Sequence, residues 1–123
     1  MVHIEFDSKS QVVNCIMKDK IVVEDVTRFI KSMICADDLP KDLRIIVHLL
    51  NCEVLFNVDQ IPEIVKANDY LLERYVSIRQ AIVIDKPIST ALAVYYKKLC
   101  KQSNYSFKIF STLIAAEFWI KSN

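Results

Sequence analysis

Residues Arg79 to Lys101 constrain the fold of this chain more than any other stretch. Ala81-Ile82-Val83-Ile84 is an unbroken apolar run of strand length, the pattern of a strand covered on both faces. Asp85 ends the run, and Pro87 suits the first turn of a helix, where a missing N–H removes no hydrogen bond. Ile88, Ala91, Leu92, Tyr95 and Leu99 then recur at three- and four-residue spacing as one apolar stripe. The stretch predicts a buried strand, a tight turn and an amphipathic helix, which is one unit of an α/β domain.

The flanks extend that unit. His3 to Asp7 and Val12 to Lys18 read as strands joined by Ser8-Lys9-Ser10, a hairpin. Val22, Val26, Phe29, Ile30, Met33 and Ile34 form a helical stripe, and Asp37 to Asp42, with Pro40, reads as a loop. Leu43 to Leu50 is a strand interrupted by His48, and Val54 to Asn57 reads as a tight apolar loop. Asp59 is expected to cap a helix reaching about Tyr75, with Ile61, Ile64, Val65, Leu71 and Leu72 inward. Tyr105 to Phe110 supplies a last strand, and Ser111 or Thr112 caps a short helix ending near Trp119 and Ile120.

The predicted order is ββαβαβαβα. It gives one α/β domain over residues 1–123, with a mixed five-stranded sheet: an N-terminal antiparallel hairpin, then parallel βα units with right-handed crossovers. Crossover helices coiling in one sense would cover one sheet face. The other is expected to stay open, with Asn14, His48 and Lys108 among Val12, Ile16, Ile46 and Leu50, a surface suited to a dimer contact or a shallow ligand site.

Composition excludes several functions. The chain has no glycine, where average usage of about 7% would supply several. Glycine-dependent phosphate loops, dinucleotide fingerprints and nucleophile elbows are therefore absent. Left-handed turn positions are expected to fall on asparagine or aspartate, such as Asn51, Asn57 and Asn104. A net charge of +1 calls for neither nucleic acid nor an anionic membrane as partner.

The four cysteines, Cys15, Cys35, Cys52 and Cys100, form no C-x-x-C pair, and neither histidine joins a metal set, so no metal and no cofactor is expected. The N-terminal residues lack the basic and apolar segments of a signal peptide, and no apolar run reaches the length of a transmembrane segment. A reducing cytoplasm with free, mostly buried thiols is the expected setting.

Five residues are candidates for a ligand site, each with a plainer reading beside it. His48 is either a ligand-facing imidazole or a half-buried histidine bonded to a neighbouring strand; the second is preferred. Cys52 lies just past a strand end, where α/β sheets place ligands, yet a buried structural cysteine is commoner. Asp85 could hold a ligand, but capping the following helix is the preferred role. Ser89 and Thr90 occupy the first turn of that helix, whose free N–H groups attract anions. Lys97, Lys98 and Lys101 read as a solvated face, and Tyr95, Tyr96 and Trp119 as core or interface.

Two segments carry a family resemblance. Arg79 to Ile88 followed by Ala91-Leu92-Ala93 resembles the strand, proline turn and alanine-bearing helix of the STAS fold found in anti-sigma-factor antagonists and SpoIIAA-like single-domain proteins. Phe107 to Leu113, with Ala115-Ala116-Glu117-Phe118-Trp119-Ile120, resembles that family's closing strand and helix. The resemblance covers Leu43 to Ile120. It implies a small bacterial cytoplasmic regulatory module that contacts another protein or a second copy of itself, and related folds hold lipids or nucleotides near the sheet edge.

Family antagonists carry a phosphorylatable serine in a glycine-containing turn after the middle strand. The matching region here, Asn51 to Asp59, has neither serine nor glycine, so no phosphorylation site is expected. Three functions follow in order. The first is a non-enzymatic interaction module forming a homodimer. The second is a carrier or sensor of a small lipophilic or anionic ligand. The third is an enzyme, which would need His48, Cys52 and Asp85 to converge.

Overall fold

The computed structural model describes residues 1–122. It opens with the expected hairpin, β1 (Val2–Asp7) against β2 (Val12–Met17), antiparallel with Phe6 opposite Val13. Asp7 organises the turn: its carboxylate accepts from the Lys9 N–H at 3.0 Å and the Ser10 hydroxyl at 2.8 Å. Those bonds, the Ser10 one foremost, hold the Asp7 carboxyl below its usual range. Of the two left-handed positions one falls on an aspartate as expected, Asp19 at φ 66°, and the other on Gln11 at φ 61°; neither falls on Asn51, Asn57 or Asn104, the examples named for that role. Those asparagines include two with other tasks. Asn57 is extended and caps a 3-10 turn through the Asp59 N–H, while the Asn104 amide donates to the Leu72 and Val76 carbonyls.

Two short strands lie outside the expected order. β3 (Asp19–Ile21) pairs in parallel with β5 (Cys52–Val54), forming a separate two-stranded ribbon that takes only Val54 from the expected apolar loop; Leu55 to Asn57 stay in a loop. Between them in sequence come α1 (Val23–Cys35) and β4 (Asp42–His48). After the 3-10 turn Val58–Gln60, α2 (Ile61–Arg74) starts two residues beyond Asp59, so Asp59 sits in that turn and does not cap the helix. The chain continues with β6 (Ser77–Val83), α3 (Pro87–Leu99), β7 (Tyr105–Phe110) and α4 (Leu113–Lys121). Thr112 caps α4, its hydroxyl oxygen accepting from the Ala115 N–H at 3.3 Å.

The main sheet is five-stranded in the order β1-β2-β4-β6-β7, antiparallel at the first pair and parallel at the other three. This is the α/β architecture expected from the hairpin followed by βα units. Strand alternation divides it into two faces. Val13, Cys15, Leu43, Ile45, Val47, Ile78 and Phe107 face α1, α2 and α3 and make the larger core. Val12, Ile46, Ala81 and Val83 face the other way and pack on Ala116 and Ile120 of α4.

The expectation of an open second face is therefore corrected. α4 follows β7 and does not link two of the described strands, so the crossover rule that places the other helices does not place it. Its buried stripe settles on the small residues of β6.

Candidate functional site

The larger core does not close completely. Between the sheet and α1, α2 and α3 a cavity of about 90 Å³ remains. Phe29 and Ile30 of α1, Ile64 and Leu71 of α2, Leu92 of α3, and Val47, Ile82 and Phe107 of the sheet give it an apolar wall. Three polar side chains interrupt that wall: Asn68 on α2, Gln80 on β6 and Ser89 on α3.

Asn68 is the most telling of them. It is 2% exposed, and its Nδ2 has no hydrogen-bond acceptor. A buried donor without a partner costs about 1–3 kcal/mol, so a packing role alone would favour leucine at this position. Gln80 is anchored by a short chain of hydroxyls. Tyr96 and Tyr105 share a hydrogen bond of 2.9 Å, and Tyr105 donates to the Gln80 Oε1 at 3.3 Å. Burial pushes both phenols up, so they remain neutral donors. Their rings stack around Phe107, with Tyr96 edge-on at 5.1 Å.

The lining contains no carboxylate, imidazole, ammonium or guanidinium. Such a site can hold an uncharged molecule and fix it by hydrogen bonds. It has nothing with which to transfer a proton near neutral pH.

The five sequence candidates are scattered. Ser89, 6% exposed, lines the cavity. Thr90, one residue on, instead donates its hydroxyl to the Lys86 carbonyl at 2.7 Å. Asp85 is exposed and does not cap α3; Lys86 occupies the cap position with no side-chain hydrogen bond. The helix starts one residue later than the capping role requires, because Pro87 takes its first position.

His48 shares the α4 face with Ile46, and its Nε2 lies 3.0 Å from the Asn14 Oδ1. Burial lowers its pKa, with the Glu117 and Glu5 carboxylates pulling the other way. Cys52 is buried in the larger core, and burial raises its thiol pKa against the pull of Lys86, whose Nζ donates to the Cys52 carbonyl at 2.9 Å. The imidazole thus belongs to the α4 side of the sheet and the thiol to the larger core, and among the described residues no hydrogen bond joins His48, Cys52 or Asp85 to one another.

Sequence reading missed Asn68 and Gln80. A signal for Asn68 existed: it stands four residues after Ile64 and three before Leu71, on the buried stripe of α2. A polar residue on an apolar stripe marks either an error or a site.

A second surface stands out on the far side of the molecule. Ile114 and Phe118, one turn apart on α4, are 81% and 80% exposed. Among the described residues no helix is long and apolar enough to cross a membrane.

The fold is SpoIIAA-like. The crystal structure of an uncharacterized protein of the DUF3478 family with a SpoIIAA-like fold, from Shewanella loihica PV-4, aligns with a TM-score of 0.62 over 98% of this chain and 92% of that one, at 14% identity. No family model matches the chain, and no curated protein matches it. At that identity the likeness defines a fold and leaves activity and ligand to this chain's own residues.

Proposed function

We propose that this protein is a non-enzymatic binding module that takes a small, uncharged, lipophilic molecule, or the end of a larger one, into the cavity between the sheet and α1–α3. The observation that carries the reading is the Asn68 amide, buried and without an acceptor, in a wall that is otherwise apolar apart from Gln80 and Ser89. A carbonyl or ether oxygen on the ligand would complete its hydrogen bonding. The cavity admits a group of a few heavy atoms, smaller than the about 150 Å³ void that accepts benzene in an engineered protein. Absence of charge from the lining favours a neutral ligand over an anionic one.

Native mass spectrometry of the purified protein is the test. The reading expects a retained mass that organic extraction removes and that is missing from Asn68→Leu. A wild-type protein of bare chain mass that also fails to take up short-chain ketones or alcohols would overturn it.

A second reading, a regulatory module acting through protein contacts as a homodimer, is favoured by the exposed pair Ile114 and Phe118. Light scattering after size exclusion expects a dimer that Phe118→Glu converts to a monomer. Four unpaired thiols suit a reducing cytoplasm as the setting for either reading.

A further inference from the structure

Beyond the C-terminal end of α4, the same sheet face carries a depression of about 360 Å³ at the N-terminal ends of β4, β6 and β7. Its centre is an arginine pair. Arg44 on β4 and Arg79 on β6 are register partners, and Ser106 on β7 is the next residue across. Neighbouring strands lie about 4.8 Å apart, so two guanidiniums rise side by side from one face.

Like charges at directly opposed positions repel unless something compensates them. Among the described residues the ion pairs are His3–Glu5 and Arg28–Asp25, and neither involves this pair. Part of each fork is used on the end of α4: Arg44 donates to the Ile120 carbonyl at 2.7 Å, and Arg79 to the Ser122 carbonyl and hydroxyl at 3.1 and 2.8 Å. A helix C-terminus offers about half a negative charge, so among the described residues most of two positive charges is left without a counter-charge.

The Arg79 Nε is buried with no acceptor, so capping the helix does not account for the whole guanidinium. Stacking on Trp119 at 4.3 Å holds that fork in place, and Lys108 adds a third cation 5.7 Å from the same ring. Around the pair stand Ser103 and Ser106, whose hydroxyls are able to donate, with Ser77 and Asn104 already donating within the protein. Asp42 is the one acid in the lining, and it accepts the Ser77 hydroxyl at 2.8 Å.

We propose that this depression is an oxyanion site, in which Arg44 and Arg79 together bind a carboxylate or phosphate group carried by a small polar molecule. It lies on the opposite face of the sheet from the apolar cavity and does not depend on it. A planar guanidinium fork matches the two-oxygen edge of either anion.

Titration with inorganic phosphate and, separately, with acetate, followed by nitrogen-15 NMR at constant ionic strength set with chloride, tests the proposal. The expected result is a saturable shift of the Arg79 Nε–H and of the Ser103 to Ser106 amides. The anion that saturates first identifies the source. Arg79→Lys, which keeps the charge and loses the fork, should weaken binding about tenfold, and Arg44→Gln by at least as much. Shifts no larger than those chloride causes would overturn the proposal, as would full binding by a folded Arg44→Gln protein. Should Arg79→Lys fail to fold, the wild-type titration and Arg44→Gln decide the matter.

Discussion

The two faces of the sheet are built from the same five strands and close in opposite ways. On one side, α1, α2 and α3 contribute Phe29, Met33, Ile64, Leu71 and Leu92, and the packing still leaves a cavity with an orphaned amide in its wall. On the other, the nine residues of α4 suffice, because Ala81 and Ala116, both 0% exposed, let helix and sheet approach closely. Abundance of apolar material does not decide completeness of packing. The thick side keeps an interior gap, whereas the thin side closes its small core under α4 and leaves an open depression with the arginine pair beside Trp119.

The largest test of that contrast deletes equivalent side chains from both sides. Ile45→Ala, at a fully buried position in the thick core, should cost about 3–4 kcal/mol in denaturant unfolding. Ile120→Ala, equally buried on the thin side, should cost about 2–3 kcal/mol, since a single short helix packed on small residues can settle toward the sheet. Equal losses would break the comparison.

The asparagines sharpen it further. Asn68→Leu should stabilise the ligand-free protein by about 1–2 kcal/mol, because a leucine at that site strands no donor. Asn14→Leu, on the other face, should destabilise by about 1 kcal/mol, because it strands the His48 imidazole. Thermal and chemical unfolding of both variants would check the opposite signs.

Outside both cores, Gln11→Gly should stabilise by about 1 kcal/mol by relieving its left-handed backbone, provided the turn keeps its Asp7 bonds. The smallest effect is a pH dependence confined to the α4 face. Burial lowers the His48 pKa, so the folded state disfavours the charged imidazole. The stability it contributes is full above the ordinary histidine value of about 6.5 and is lost as pH falls below it toward the lowered folded value. The unfolding midpoint should decline on acidification through that window, and His48→Gln should flatten the decline.

Much of the candidate site was out of reach of the linear chain. Ser89 was singled out for its place in a first helical turn, and the structure gives it a different setting, the cavity wall. Asn68 was readable as a polar break in an apolar stripe. Gln80 was not, because which strand residues face three helices depends on register and on where those helices pack. The His48–Asn14 bond likewise needs the parallel pairing that sets Ile16 beside His48. The β3–β5 ribbon was missed because three-residue strands leave no periodic trace in sequence.

The sequence by itself determined the hairpin, the βα order of the main sheet and most of the apolar stripes, since these follow from local periodicity and from proline, whereas of the expected caps only Thr112 holds. It also ruled out glycine-dependent nucleotide chemistry by composition alone. Only the tertiary structure decided that α4 crosses to the second face, that three helices leave a gap beside Asn68, and that Arg44 meets Arg79 across two strands. Each of these is a non-local fact, set by how volumes fill and charges align between segments that the chain order keeps apart.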